Sequence, residues 1–268
     1  MPTRPLNDEG REIWGGFELA IAGTSHVGRI RKANQDAFDR FDDPERGEIL
    51  LAVADGMGGH RGGETASRMA IGTLGKLVRE GEGEAPERLT RAIERANFEI
   101  HKLASRDSML RGMGTTVVAF LLCAEGPSFV AHVGDSRLYR LRDGHFDAVT
   151  EDHSLVASLV RNGSIAPEEA RNHPRRNQIT RALGSRSSVE VDVAPVELRE
   201  GDGYLLCSDG LYAMLPDEDL GVLARRSLDA HAVVAWMIDA ANQAGGMDNI
   251  TAMVANLVAM GTTSPQDD

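Results

Sequence analysis

The 268-residue sequence predicts an α+β fold with two antiparallel sheets in a single domain. Short strand-like segments are separated by Gly, Pro or Asp-Gly, the punctuation of antiparallel chains. Their runs alternate with pairs of helices instead of single crossovers. No internal repeat or composition shift divides the chain, and its 41% hydrophobic and 26% charged residues are ordinary for a globular protein.

The opening "MPTRPLNDEGREIW" has no apolar stretch, so residues 1–15 are expected to be a flexible tail and not a leader peptide. "GFELAIAG" (16–23) and "EILLAVA" (48–54) read as strands around the turn-rich "FDDPERG". Ala66, Ala70, Leu74, Leu77 and Val78 then recur at helical spacing, as do Leu89, Ile93, Ala96, Ile100 and Leu103 after the linker "EGEGEAPE". From Gly114 the period shortens: "TTVVAFLLCA", "PSFVAHVG", "SRLYRLRDG" and "HFDAVT" suggest a meander, with Asp143-Gly144 as a hairpin turn. Residues 151–184 are polar and read as a surface insertion with a short helix near 153–161 and another after Pro167. "VEVDVAPVEL" and "GYLLCSDG" return to strand, helices run from about Pro216 to Ala244, "NITAMVANLV" is the last strand, and residues 260–268 form a second disordered tail.

Composition excludes several functions. A net charge of −12 opposes nucleic acid, whose phosphates demand a basic surface. No apolar run approaches the roughly 20 residues of a membrane helix, so a cytoplasmic location is expected. Cys123 and Cys207 lie in apolar runs without metal-ligand spacing and are expected to be buried free thiols.

The stretch "LLAVADGMGGHRGGETA" (50–66) ends an apolar strand in Asp55 and follows it with five glycines in eight residues. The same ending recurs in "HVGDS" at Asp135 and "CSDG" at Asp209, while Asp248 precedes the last strand and Asp36 follows the first strand region. Any one Asp-Gly could be a turn, but a buried strand need not end in a charge. Carboxylates converging on one edge repel unless cations neutralise them, and oxygen ligands without clustered His or Cys favour Mg or Mn. Glycine beside an aspartate would let carbonyls and waters approach an ion.

"SHVGRIRKANQDAF", "VADGMGGHRGGETAS", "GMGTTVVA", "AHVGDSRLYRLRDG", "VTEDHSLV", "ITRALG", "LLCSDGLYAML" and "DNITAMVANL" follow one another in the order of the PPM family. The chain resembles the short bacterial form of these metal-dependent type 2C Ser/Thr protein phosphatases over residues 20–258. The resemblance implies a four-layer α-β-β-α sandwich, with 16–259 as the catalytic domain and 151–184 as a flap beside the site. It implies two Mn or Mg ions: Asp55 bridging them, the Gly56 carbonyl contributing, and Asp209 and Asp248 completing the set. Asp36 would act through water or from behind the ligands, and Asp135 would help hold a third, weaker ion.

Such ions would activate a bridging hydroxide for direct attack on phosphoserine or phosphothreonine, without a phosphoenzyme. Neither cysteine is followed six residues later by Arg, so the loop of cysteine-based phosphatases is absent. Arg31 is the candidate phosphate clamp, since its fork can hold two phosphoryl oxygens. His60 is a candidate general acid for the leaving alkoxide; it stands three residues beyond Met57, which occupies the place where many eukaryotic relatives carry His, and this leaves a bound water or a purely local role as alternatives. Thr115 and Thr116 read as strand residues backing the site, and His132 as a buried, satisfied histidine. Among Arg171, Arg175, Arg176 and Arg181, the charges of Arg175 and Arg176 would steer anionic phosphopeptides.

The partners implied are phosphorylated proteins and a Ser/Thr kinase system, with a monomer as the default state. Competing readings are a metal-dependent nuclease, opposed by the charge; a P-loop enzyme, opposed by "GMGGHRGG" lacking the Lys-Ser/Thr ending; and a metal-free scaffold, opposed by the full set of aspartates.

Overall fold

The computed structural model describes residues 11–58 and 61–260; residues 1–10 and 261–268, where flexible tails were expected, lie outside the described residues. One sheet is ordered β1 (Glu12–Trp14), β2 (Phe17–His26), β12 (Ile250–Val258), β11 (Gly203–Cys207), β8 (Arg137–Arg142) and β9 (His145–Ala148). The other is ordered β10 (Asp192–Val196), β7 (Ser128–Val133), β6 (Val117–Cys123), β4 (Glu48–Met57) and β3 (Asp36–Asp43), with the two-residue β5 (Gly114–Thr115) beside the end of β4. Every pairing is antiparallel. Helices α1 (Gly62–Glu80) and α2 (Ala85–Arg106) cover the second sheet, and α5 (Asp209–Tyr212), α6 (Asp217–Arg225) and α7 (Ala230–Gln243) cover the first. The insertion carries α3 (Leu155–Arg161) and α4 (Pro167–Ala170).

Three apolar layers explain the continuous hydrophobic runs of the central strands. Side chains alternate across a strand, so a strand buried on both faces has no polar phase. In β4, Ile49, Leu51 and Val53 point between the sheets while Leu50, Ala52 and Ala54 meet α1 and α2. In β12, Met253, Ala255 and Leu257 enter the same inter-sheet layer, and Ile250, Ala252 and Val254 meet the opposite helices. Both cysteines are free and buried as expected.

Three local readings change. Residues 12–14 are not tail: they pair with β2, and Trp14 is buried in the inter-sheet layer with its indole N–H on the Gly47 carbonyl. Strand β3 was missed because "DAFDRFDD" carries acids along its length; Phe38 packs toward the inter-sheet layer and Phe41 toward α1. The supposed meander is two hairpins in different sheets, β6–β7 and β8–β9, joined by the crossing at Gly134–Ser136. The Asp143-Gly144 turn closes the second, with φ of 51° and 79° as a primed turn requires.

Buried Arg88 of α2 ties the helix layer to the sheet: it pairs with Glu48 of β4 and donates to the Val78 carbonyl at 2.6 Å and the Gly83 carbonyl at 3.1 Å. Removing one partner of a buried pair leaves an uncompensated charge. Arg88→Met is expected to lower the unfolding free energy by about 3–5 kcal/mol in urea titration; a loss below about 1 kcal/mol would mean the pair merely offsets its own desolvation.

Candidate active site

At one end of the sandwich the inter-sheet layer changes from apolar to polar without changing phase. Continuing the parity of Ile49, Leu51 and Val53 places Asp55 on the inter-sheet face, and the same rule places Thr116, Ser136, Ser208, Thr251 and Asp36 there. The hydroxyls bond across strands: Thr116 Oγ1 to Ser136 Oγ at 2.7 Å and Ser25 Oγ to Thr251 Oγ1 at 2.7 Å. Ser208 and Thr251 both donate to Asp36 Oδ2, at 2.8 and 2.6 Å.

The backbone of Asp55 is fixed by Thr115 and Thr116. Its N–H donates to Thr116 Oγ1 at 2.9 Å, and its carbonyl accepts from the Thr116 N–H at 2.9 Å and from Thr115 Oγ1 at 2.8 Å. Asp36 stands directly opposite Asp55 in the β3–β4 register. Asp209 opens α5 after β11, Asp135 lies in the crossing between sheets, and Asp248 precedes β12. Asp55, Asp135, Asp209 and Asp248 line one cavity of about 500 Å³ together with Arg31, Gln35, Gly56 and Asn249, and Asp36 lies behind its wall.

The glycines serve chain packing. A Cβ on Gly56 would sit 2.1 Å from the Gly63 carbonyl oxygen and 2.5 Å from that of Gln35, and one on Gly63 would sit 2.6 Å from the Gly56 oxygen. The first turn of α1 thus packs directly against the Gly56 backbone, and Gly56 also lines the cavity.

Burial dominates the protonation of the cluster and mutual repulsion adds to it. Asp36 is pushed up to about 6, chiefly by burial, opposed by its two hydroxyl donors and raised further by the charges of Asp209 and Asp248. Burial and the charges of Asp209 and Asp152 push Asp135 up to about 8. Asp55 and Asp209 are also raised, first by burial and then by neighbouring carboxylates. Asp36 Oδ1 and Asp209 Oδ1 are buried with no hydrogen-bond partner. Such a set suits hard divalent cations, which would supply the missing contacts and remove the repulsion.

Arg31 reaches the cavity on the loop between β2 and β3. Asn249 braces this loop, donating to the carbonyls of Val27 and Ala33 at 2.9 and 3.0 Å and accepting from the Gln35 N–H at 2.8 Å. Arg31 Nη2 donates to Asp248 Oδ2 at 2.8 Å, a contact that raises its pKa and leaves the rest of the guanidinium open to solvent. Gln35 and Asn249 gave no sequence signal, since amides in loops read as turn formers. His60 lies outside the described residues.

A sequence model of the family described as protein phosphatase 2C matches residues 22–257. The chain belongs to this family. The phosphatase is 42% identical over 243 residues to the serine/threonine phosphatase Stp of Listeria innocua, covering 87% of this chain and 95% of that one. It is 35% identical to the protein phosphatase PhpP of Streptococcus pneumoniae, covering 89% and 98%. The Mycobacterium tuberculosis phosphatase PstP/Ppp superposes with a TM-score of 0.81 at 38% identity, over 90% of this chain and 99% of the other. The catalytic domain of PstP in complex with two manganese ions gives 0.77 at 36% identity, over 90% and 98%. The chain is therefore a Ser/Thr protein phosphatase of the PPM type with the expected four-layer sandwich.

The flap arginines of the phosphatase differ in role. Arg181 is consumed by Asp192 at 2.5 Å and Glu190 at 3.2 Å, Arg176 lines a second cavity beside the acids, and Arg175 lines neither cavity. His132 is buried, stacks on His153 and bonds the Glu151 carbonyl at 2.9 Å, as expected of a satisfied histidine. His132, His153 and Asp192 bring potential ligand atoms within 4.8 Å of one another. Yet His153 Nδ1 accepts from the Gly134 N–H at 3.0 Å, and the Arg181 guanidinium sits 3.0 Å from its Nε2, so a cation is already in place. This group pins the flap root.

Thr116→Val should strand the Asp55 N–H and the Ser136 hydroxyl. It is expected to lower unfolding free energy by about 1–3 kcal/mol, the cost of leaving a buried polar group unpaired; unchanged urea denaturation would show that water replaces the hydroxyl.

Proposed function

We propose that the phosphatase hydrolyses phosphoserine and phosphothreonine on proteins with the help of Mn or Mg ions held by Asp55, Asp209, Asp248 and the Gly56 carbonyl. The observation that supports this most directly is the convergence of five carboxylates, with Asp36 Oδ1 and Asp209 Oδ1 buried and unpartnered. Asp36, anchored by Ser208 and Thr251, would support the ligands from behind, and Asp135 would serve a third, weaker ion. When bound, such ions supply activation of water and compensation of phosphoryl charge. The similar catalytic domain of PstP in complex with two manganese ions supports this reading for the principal pair.

The chain's own residues orient the ester. Arg31 would hold phosphoryl oxygens with the part of its fork not bonded to Asp248. Arg175 and Arg176 would attract anionic peptides toward the site. Cys123 is buried with its thiol pushed up to about 11 by burial, and Cys207 is buried and raised for the same reason, so neither offers a thiolate nucleophile. This excludes a cysteine-based phosphoenzyme, and direct attack by water is the reaction we propose. His60 is the proposed proton donor to the leaving alkoxide, and the phosphatase would act as a monomer in the cytoplasm, opposing a Ser/Thr kinase. No helix among the described residues is long and apolar enough to cross a membrane.

Phosphate release from a phosphothreonine peptide is expected to require added Mn, to stop with EDTA, and to fall by about 100-fold or more in Asp209→Ala, the upper range for disturbing a metal site's supporting groups. Release by the wild type that persists in EDTA would overturn the metal reading.

The raised carboxylates give a second test. Their folded-state values exceed the ordinary 3.8, so the metal-free fold holds protons that the unfolded chain has released. Their stabilisation is complete below the unfolded value and is lost as pH rises through about 6 at Asp36 and about 8 at Asp135. The melting temperature of EDTA-treated protein should therefore fall between about pH 5 and 8, and Mn should remove that slope. A slope of the same size with and without Mn would dissociate the acids from metal binding.

A further inference from the structure

A second cavity, of about 540 Å³, opens beside the acid cluster. Asp135, Asn177 and Asp209 line both spaces, so a peptide whose phosphoryl group occupies the first can run directly into the second. Val156, Ala170 and Pro216 give the second cavity an apolar surface, and its charges decide what it accepts.

The acids there are largely spoken for. Asp152 takes two hydrogen bonds from Arg137, both at 2.8 Å, and the Arg137 guanidinium lies 3.7 Å from the centroid of the Tyr212 ring. Asp217 accepts from the Tyr139 hydroxyl at 3.0 Å and stands 3.9 Å from Arg137. Glu218 remains unpaired among the described residues, at the first turn of α6 where the helix dipole favours it.

The flap side is the reverse. Arg171 and Arg176 line the same cavity, are exposed, and make no ion pair among the described residues. The neighbouring Glu169 accepts instead from the Ala166 N–H at 2.7 Å. Two guanidinium groups with no ion-pair partner among the described residues thus face the space beside the reaction site. Their planar forks match a carboxylate or a phosphoryl group.

We propose that this cavity is a second anion subsite, in which Arg171 and Arg176 receive an acidic or phosphorylated side chain close in sequence to the phosphoresidue being hydrolysed. The inference rests on the phosphatase reading and deepens it: the preferred substrates carry two neighbouring anionic groups, one reacting and one held. A positional subsite differs from general steering, which favours acidic peptides wherever the extra charge lies and works through encounter.

The test uses phosphothreonine peptides with Glu, phosphothreonine or Gln placed in turn at each of three positions on either side of the reacting residue. The Mn-loaded protein supplies kcat/KM, with each value referred to turnover of a small aryl phosphate by the same protein. One position is expected to favour the anion over Gln by about fivefold, the scale of a partly exposed ion pair, with the gain in KM. In the Arg171→Gln/Arg176→Gln double variant that ratio is expected to fall to about 1. An equal advantage at every position, no advantage at any, or a positional advantage that survives in the double variant each overturns the subsite. If the wild type turned over the aryl phosphate but none of the phosphothreonine peptides, the phosphopeptide reading itself would fall, and the subsite with it.

Discussion

Like-charge repulsion in a partly buried space is the constraint around which this end of the molecule is organised. Burial raises the proton affinity of Asp36, Asp55, Asp135 and Asp209, and the charges of neighbouring carboxylates, Asp248 and Asp152 among them, raise it further. Flexible side chains would separate, but these cannot. The Asp55 backbone is held by Thr115 and Thr116, and Asp36 is pinned by Ser208 and Thr251 in register with Asp55. The fold therefore stores an unfavourable arrangement whose relief is either protons, held by the metal-free carboxylates above their ordinary range, or the proposed cations that would displace them. The hydroxyl rung between apolar core and acids moderates the cost, giving the inter-sheet layer donors just where its charges begin.

Much of the fold was legible because the central strands are buried on both faces. Runs such as "EILLAVA" and "NITAMVANLV" have no polar phase, so their identity as inner strands follows from length and flanking turns. The edges carried less signal. Strand β3 lies at the margin of its sheet and tolerates Asp39, Asp42 and Asp43, which disguises it as loop. The switch between sheets at Gly134–Ser136 was invisible for a different reason: strand spacing is the same whether a chain turns within one sheet or crosses to another.

The acids of the site were legible and their supports were not. An aspartate ending an apolar strand breaks the pattern of its own segment and so announces itself. Gln35 and Asn249 break nothing; they matter because the Asn249 side chain bridges segments more than 200 residues apart, information that exists only in the folded chain. The close packing around the glycines was a further feature that the sequence did not show. The atoms nearest the missing Cβ positions of Gly56 and Gly63 belong to the two segments themselves and to Gln35, so these glycines set how tightly α1 seats against the strand end bearing Asp55.

Charge is also divided between the two neighbouring cavities in a way that follows from the acidity of the chain. The reacting phosphoryl group would meet aspartates, which cannot attract it, so its affinity must come from imported cations and from Arg31. A flanking group also meets carboxylates, but Asp152 and Asp217 there are bonded to Arg137 and Tyr139, so Arg171 and Arg176 can recognise it through their own side chains. This division requires that the flap arginines stay uncompensated, and the ion pairs around them achieve that: Arg181 takes Asp192 and Glu190, Arg137 takes Asp152, and Glu169 caps its own helix. His153, kept neutral chiefly by burial and then by His132, adds no competing charge at the flap root. Apart from Glu218 at the start of α6, the acids named around this cavity are thus engaged elsewhere, and Arg171 and Arg176 are left to a ligand from outside the chain.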